Sequence, residues 1–376
     1  MRAVRGLTGI VVATLLGLAV VVGATAAADD SDFDGSWTEH HYDAEVALDS
    51  RDYFVYVPAE LPEGDVPLVV YLHGCNQTAY EAALGVRWNE LADTEGFIVA
   101  YPQQFDPNTM APGPDQGEAY LFGGNGGQCW NWFRPEHIER GLGEAATIAG
   151  ITRTVMADHA IDEDRVYLAG ISAGGVMAST MGATYPDIYA AVSVLAGCGY
   201  LACADVDGSA AVAAMGEHAR PLPVVVVHGT ADTVAPFPMG MDAVAQWLAT
   251  NDLIDDGQAN GSVASTPATS RDVGMDASAL GGLGTLGDVC VRSWNVPCLG
   301  GLLGMPEYPH TIDTYLDAAG CELVQFWTLH GLQHSYSGGD PRGTFTDPLG
   351  PGETPVSWAF FQRHTRSGPT EAACAG

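Results

Sequence analysis

Six short apolar runs recur along the chain, all but the last ending in small or turn residues: PLVVYLHG (67–74), GFIVAYP (96–102), RVYLAG (165–170), AAVSVLAG (190–197), PVVVVHG (223–229) and ELVQFWTL (322–329). They are too short for ordinary helices and rich in β-branched and aromatic residues. Being near-continuous rather than alternating, they read as strands buried on both faces. An earlier run, RDYFVYVP (51–58), alternates and reads as a further strand. Segments of helical composition lie between most of them, at 81–95, 143–159, 173–185 and 239–250. Strands alternating with helices imply an α/β fold, a mostly parallel sheet with helices on both faces.

Two regions break the rhythm. Residues 104–128 are rich in Gly and Pro, and residues 251–310 carry GSVASTPATS and GGLGTLGD. Both read as surface excursions. The second contains Cys290, Trp294 and Cys298, which suggests partial order; it reads as a loop insertion or as a lid.

At the start, Arg2 and Arg5 precede an apolar run to about Val22 and small residues at 24–28, the pattern of a secretory signal peptide. The expected organisation is a signal peptide at 1–28, an acidic leader at 29–50, one catalytic domain at 51–366 with the insertion at 251–310, and a tail at 367–376. No stable membrane insertion is expected, and the expected location is extracellular. Eight cysteines in an exported chain favour disulfides, without fixing their pairing. No Cys-x-x-Cys spacing supports a metal site, and no cofactor is expected. The chain has 46 acidic residues against 14 arginines and no lysine, which makes nucleic acid a poor partner. Such an excess suits either a high-salt habitat, where charge is screened, or an ordinary acidic extracellular protein. The oligomeric state is not legible.

The chemistry is concentrated at the strand ends. Gly170-Ile171-Ser172-Ala173-Gly174 directly follows the 165–170 strand and opens a helical segment. That context makes it a nucleophile elbow, in which small neighbours let the serine occupy a sharp strand-to-helix turn. Ser172 is the expected nucleophile, and the backbone N–H of Ala173, at a helix N-terminus, is one expected oxyanion donor. The second is the N–H of Cys75, in the loop after PLVVYLHG. The α/β-hydrolase fold orders its triad as Ser, acid, His. Asp232, just after PVVVVHG, is therefore the expected acid and His334, after ELVQFWTL, the expected base. His73, which precedes the serine, reads as a histidine shaping its loop, and His330 as a packed or hydrogen-bonded one. Asp205, Asp207 and Asp242 lack a strand-exit position and read as surface charges.

With these residues in view, the chain resembles the polyhydroxybutyrate depolymerase and feruloyl esterase group of α/β-hydrolases. The resemblance rests on HGCNQT (73–78), CWNWF (129–133), GISAGG (170–175), HGTADTV (228–234) and GLQHSYSGG (331–339) followed by TDPLGP. It implies a secreted serine esterase working through an acyl-enzyme, acting on polyhydroxybutyrate or its short oligomers, or removing feruloyl or acetyl groups from plant polysaccharide. A non-catalytic binding protein on this fold is the reading from another class, and an intact set of triad residues argues against it. Around His334 the chain departs from the family pattern, so Tyr336 is the expected aromatic wall. Trp130 and Trp132 are expected to line or buttress the cleft.

One pairing is expected on physical grounds. A disulfide between Cys75 and Cys129 would hold an oxyanion donor in place before the transition state arrives. The rival reading leaves Cys75 a free buried thiol with Cys129 paired elsewhere.

Overall fold

The computed structural model describes residues 32–46, 49–104, 127–274 and 308–374. The expected signal peptide, most of the 104–128 excursion, and Cys290, Trp294 and Cys298 lie outside them. In chain order the strands are β1 (Ser36–Tyr42), β2 (Arg51–Val57), β3 (Val66–Leu72), β4 (Ile98–Pro102), β5 (Ile161–Ile171), β6 (Ala191–Leu195), β7 (Val224–Gly229), β8 (Thr269–Val273), β9 (His310–Leu316) and β10 (Glu322–Leu329). They form one sheet in the order β1-β2-β4-β3-β5-β6-β7-β10-β9-β8. The six strands from β4 to β10 in that order are parallel. Antiparallel pairs finish each side.

The apolar runs are continuous because each central strand feeds two cores. In β7, Val224 and Val226 join one buried cluster and Val225 and Val227 the other. In β3, Leu68, Val70 and Leu72 face the first cluster and Val69 and Tyr71 the second. The first layer is closed by α3 (Gly143–Asp158), α4 (Ala173–Thr184) and α6 (Pro238–Asp256), the second by α1 (Ala79–Val86), α2 (Trp88–Glu95) and α7 (Glu353–Phe361), with α5 (Ser209–Met215) against α4. This is the expected α/β-hydrolase architecture.

Three details differ from the sequence reading. The helix expected over 81–95 is two, broken where Arg87 takes φ 63°. The acidic leader supplies β1, an edge strand whose polar SWTEHHY sequence hides it from a hydrophobic pattern. The 251–310 region is not all loop: α6 runs on to Asp256, and β8 and β9 extend the sheet.

Candidate active site

Ser172 sits at the elbow between β5 and α4 with φ 57° and ψ −122°, a backbone conformation rarely adopted by a residue with a side chain. The surrounding glycines make it possible. A Cβ on Gly170 would lie 2.4 Å from the carbonyl oxygen of Gly174, and one on Gly174 would lie 2.1 Å from that of Leu72. The turn is anchored by the Ser172 N–H, which donates to the Leu195 carbonyl at the end of β6 (2.9 Å).

The expected acid and base, Asp232 and His334, lie on two loops that continue the β7–β10 pairing. Thr230 N–H donates to Leu329 C=O, Ala231 N–H to Leu332 C=O, and Gly331 N–H to Thr230 Oγ1. The loops approach so closely that a Cβ on Gly229 would meet the Leu332 carbonyl at 2.2 Å. Asp232 is buried. Its Oδ1 accepts from the N–H groups of Val234 and Ala235, each at 2.8 Å, and its Oδ2 lies 2.7 Å from His334 Nδ1. His334 Nε2 is 2.9 Å from Ser172 Oγ. A carboxylate held by two amides fixes the imidazole with Nδ1 protonated, leaving Nε2 free to accept the serine proton.

The loop after β3 holds Cys75, joined by a disulfide to Cys129. Gly74 N–H donates to Gln77 Oε1, whose amide nitrogen donates to the Thr344 carbonyl. His73 is buried and burial lowers its pKa to about 4, so the ring is neutral. Its Nε2 accepts from the Gln104 N–H (3.0 Å), so Nδ1 carries the proton and donates to Gly74 C=O (2.8 Å). His73 thus occupies the loop-shaping place. Ala173 opens α4, and a first-turn amide has no acceptor within its own helix.

Of the other residues, Tyr336 and Asp205 are placed differently from expectation, whereas Trp130 and His330 take the buttressing and hydrogen-bonded places expected of them. Tyr336 is turned into the core at 2 % exposure; its hydroxyl bonds Thr354 Oγ1 (2.6 Å), and its ring packs edge-on against Tyr71. It is no wall of an open cleft, because the apolar layer beneath α7 takes it in. Trp130 is fully buried and donates its indole N–H to the His73 carbonyl (3.0 Å), so it buttresses the loop without lining a surface. Trp132 is half-buried, packed edge-on against exposed Phe133. Asp205 is no surface charge. It is buried and accepts from the N–H groups of Ala210 and Ala211 in the first turn of α5. His330 lies beside Thr311, its Nε2 3.0 Å from the hydroxyl.

Sequence reasoning missed His228. It is buried at the end of β7, its Nε2 donates to Ala235 C=O (2.8 Å), and it thereby closes the turn that carries Asp232. Its place in HGTADTV was the available signal. Among the described residues no cluster of His, Cys, Asp or Glu could hold a metal ion, and no helix is long and apolar enough to cross a membrane.

Residues 51–267 match the family described as Esterase PHB depolymerase. The chain belongs to that family. Among its relatives, the poly(3-hydroxyalkanoate) depolymerase C of Paucimonas lemoignei is 38% identical over 204 residues, 49% of this chain and 44% of that protein. Feruloyl esterase B of Thermothelomyces thermophilus is 29% identical over 145 residues, 38% of this chain and 43% of that one. The matched region thus spans less than half the length of these relatives. The solved acetyl xylan esterase from Aspergillus awamori shares the fold at a TM-score of 0.58 and 18% identity, covering 87% of this chain and 99% of that one.

Proposed function

We propose that this member of the esterase family is a secreted serine hydrolase of carboxylic esters, with polyhydroxyalkanoate-type polyester or its short oligomers as substrate. The observation that carries the reading is the continuous chain from Asp232 through His334 to Ser172, at 2.7 and 2.9 Å, set on a strained elbow. Ser172 Oγ attacks the ester carbonyl as its proton passes to His334 Nε2, and Asp232 stabilises the imidazolium. The amides of Cys75 and Ala173 receive the oxyanion. Collapse breaks the bond to the alcohol oxygen, which takes the proton from His334. Water then attacks the acyl-enzyme, giving its proton to His334, and the acid departs as Ser172 regains a hydrogen. Secretion is supported by the leading apolar segment and by the disulfides 75–129, 198–203 and 321–374.

The polyester assignment rests on the depolymerase relative, and the feruloyl esterase relative supplies the competing substrate. Turnover of p-nitrophenyl butyrate, hydroxybutyrate oligomers and methyl ferulate tests both. The reading expects the oligomers to exceed methyl ferulate in kcat/KM, and the reverse order would assign the chain to aromatic side-group removal. In the same assay His334→Ala loses about a thousandfold or more, while His330→Ala stays within a few-fold.

A further inference from the structure

The loop expected to carry an oxyanion donor is tied to a buried polar assembly that the triad does not use. Glu144, in the first turn of α3, has no exposed surface, and Arg51, Gln104 and Asn131 are also buried. Glu144 Oε1 accepts from Arg51 Nη2 (3.1 Å), Gln104 Nε2 (2.5 Å) and Asn131 Nδ2 (2.8 Å), and Oε2 accepts from Asn131 N–H (2.7 Å). Arg51 Nε donates to Gln104 Oε1 (2.9 Å).

Gln104 is the branch point. Its side-chain amide also donates to Cys129 C=O (3.0 Å), and Cys129 is bonded through sulfur to Cys75. Its backbone N–H holds His73 Nε2, and His73 in turn holds the Gly74 carbonyl. Two routes therefore leave one glutamine and converge on residues 73–75, one through the disulfide and one through the imidazole. A buried ion pair is weak evidence for stability, since packed apolar residues of similar volume often serve as well. A buried network in which one carboxylate accepts four hydrogen bonds does, however, favour one geometry. Here that geometry belongs to a loop whose amide must point correctly before charge develops.

We propose that Glu144, Arg51 and Gln104 form a positioning unit that sets the orientation of the Cys75 amide for transition-state stabilisation. The proposal rests on the serine-esterase reading above. The unit touches no substrate. It acts through His73 and Cys129, and its loss misdirects a donor without emptying the binding cleft.

The test uses Gln104→Leu, which deletes the side-chain bonds to Glu144, Arg51 and Cys129 and keeps the backbone N–H to His73. The readouts are kcat and KM on p-nitrophenyl butyrate, and inhibition by butylboronic acid, whose tetrahedral adduct on Ser172 occupies the oxyanion position, against inhibition by butyrate. The expected result is a kcat about ten- to a hundredfold lower, with KM within twofold. Boronate inhibition should weaken by the same factor and butyrate inhibition should not change. Glu144→Asp, which keeps the charge but withdraws the carboxylate, should show the same split, milder. A folded Gln104→Leu with wild-type kcat and boronate affinity overturns the proposal. Failure of both variants to fold also counts against it, by marking the network as structural alone. Ser172→Ala separates the two levels: if it stays active, the esterase reading itself fails. If it is inactive while Gln104→Leu is unimpaired, only the positioning role is lost.

Discussion

At Ser172 the left-handed backbone costs on the order of 1–3 kcal/mol, and close-packed glycines on neighbouring turns keep it in place. His73 makes the opposite bargain, a titratable ring kept neutral to serve as a hydrogen-bonded strut. Its folded pKa, about 4, lies below the ordinary 6.5 because burial disfavours the charge. The unfolded chain therefore holds a proton between those values that the native state lacks. The stability that depends on a neutral ring is complete above pH 6.5 and is lost as pH falls from 6.5 toward 4, in total about 3 kcal/mol. Unfolding free energies of wild type and His73→Gln, measured from pH 7 to 4, should differ in slope. The variant should lose less per pH unit, by up to about 1.4 kcal/mol for one proton. Parallel curves would mean that His73 does not titrate as its burial requires.

At the scale of elements, chemistry and packing meet where strands end. The loop after β3 runs directly into α1, whose start is a capping box: Thr78 Oγ1 accepts from Glu81 N–H, and Glu81 Oε2 accepts from Thr78 N–H. Thr78→Ala should cost about 1 kcal/mol, seen as a Tm lower by a few degrees, with kcat changed much less than in Gln104→Leu. An unchanged Tm would show that α1 is fixed by packing alone. The central strands were legible because burial on both faces writes an unbroken apolar run, and the positions of Ser172, Asp232 and His334 followed from strand ends. The edges were not legible. In β8, TSRDV buries almost nothing, so no periodicity marks it. Tyr336 was misread because two residues from a histidine in sequence does not say which way a ring faces, and the core behind Tyr71 took it. The Arg51–Gln104–Glu144 assembly joins residues 53 and 93 positions apart, a separation at which no local pattern can announce a contact.

Across the whole molecule the formal charge is −32. Self-repulsion of that size is screened as the Debye length shrinks from about 30 Å at 0.01 M salt to about 3 Å at 1 M. Exposed pairs such as Arg87–Glu90 weaken under the same screening, but each is worth little. The balance predicts a Tm that rises between dilute buffer and molar sodium chloride; a flat or falling series would show that the acidity carries no stability cost. In the proposed function a single hydroxyl on this fold, activated through His334 by Asp232, does the chemistry. Comparing Ser172→Ala with wild type on p-nitrophenyl butyrate, with circular dichroism to verify the fold, tests it most directly. The expected result is a native spectrum and a kcat/KM lower by about a thousandfold or more, whereas a folded variant that turns over within a few-fold of wild type would rule Ser172 out as the nucleophile.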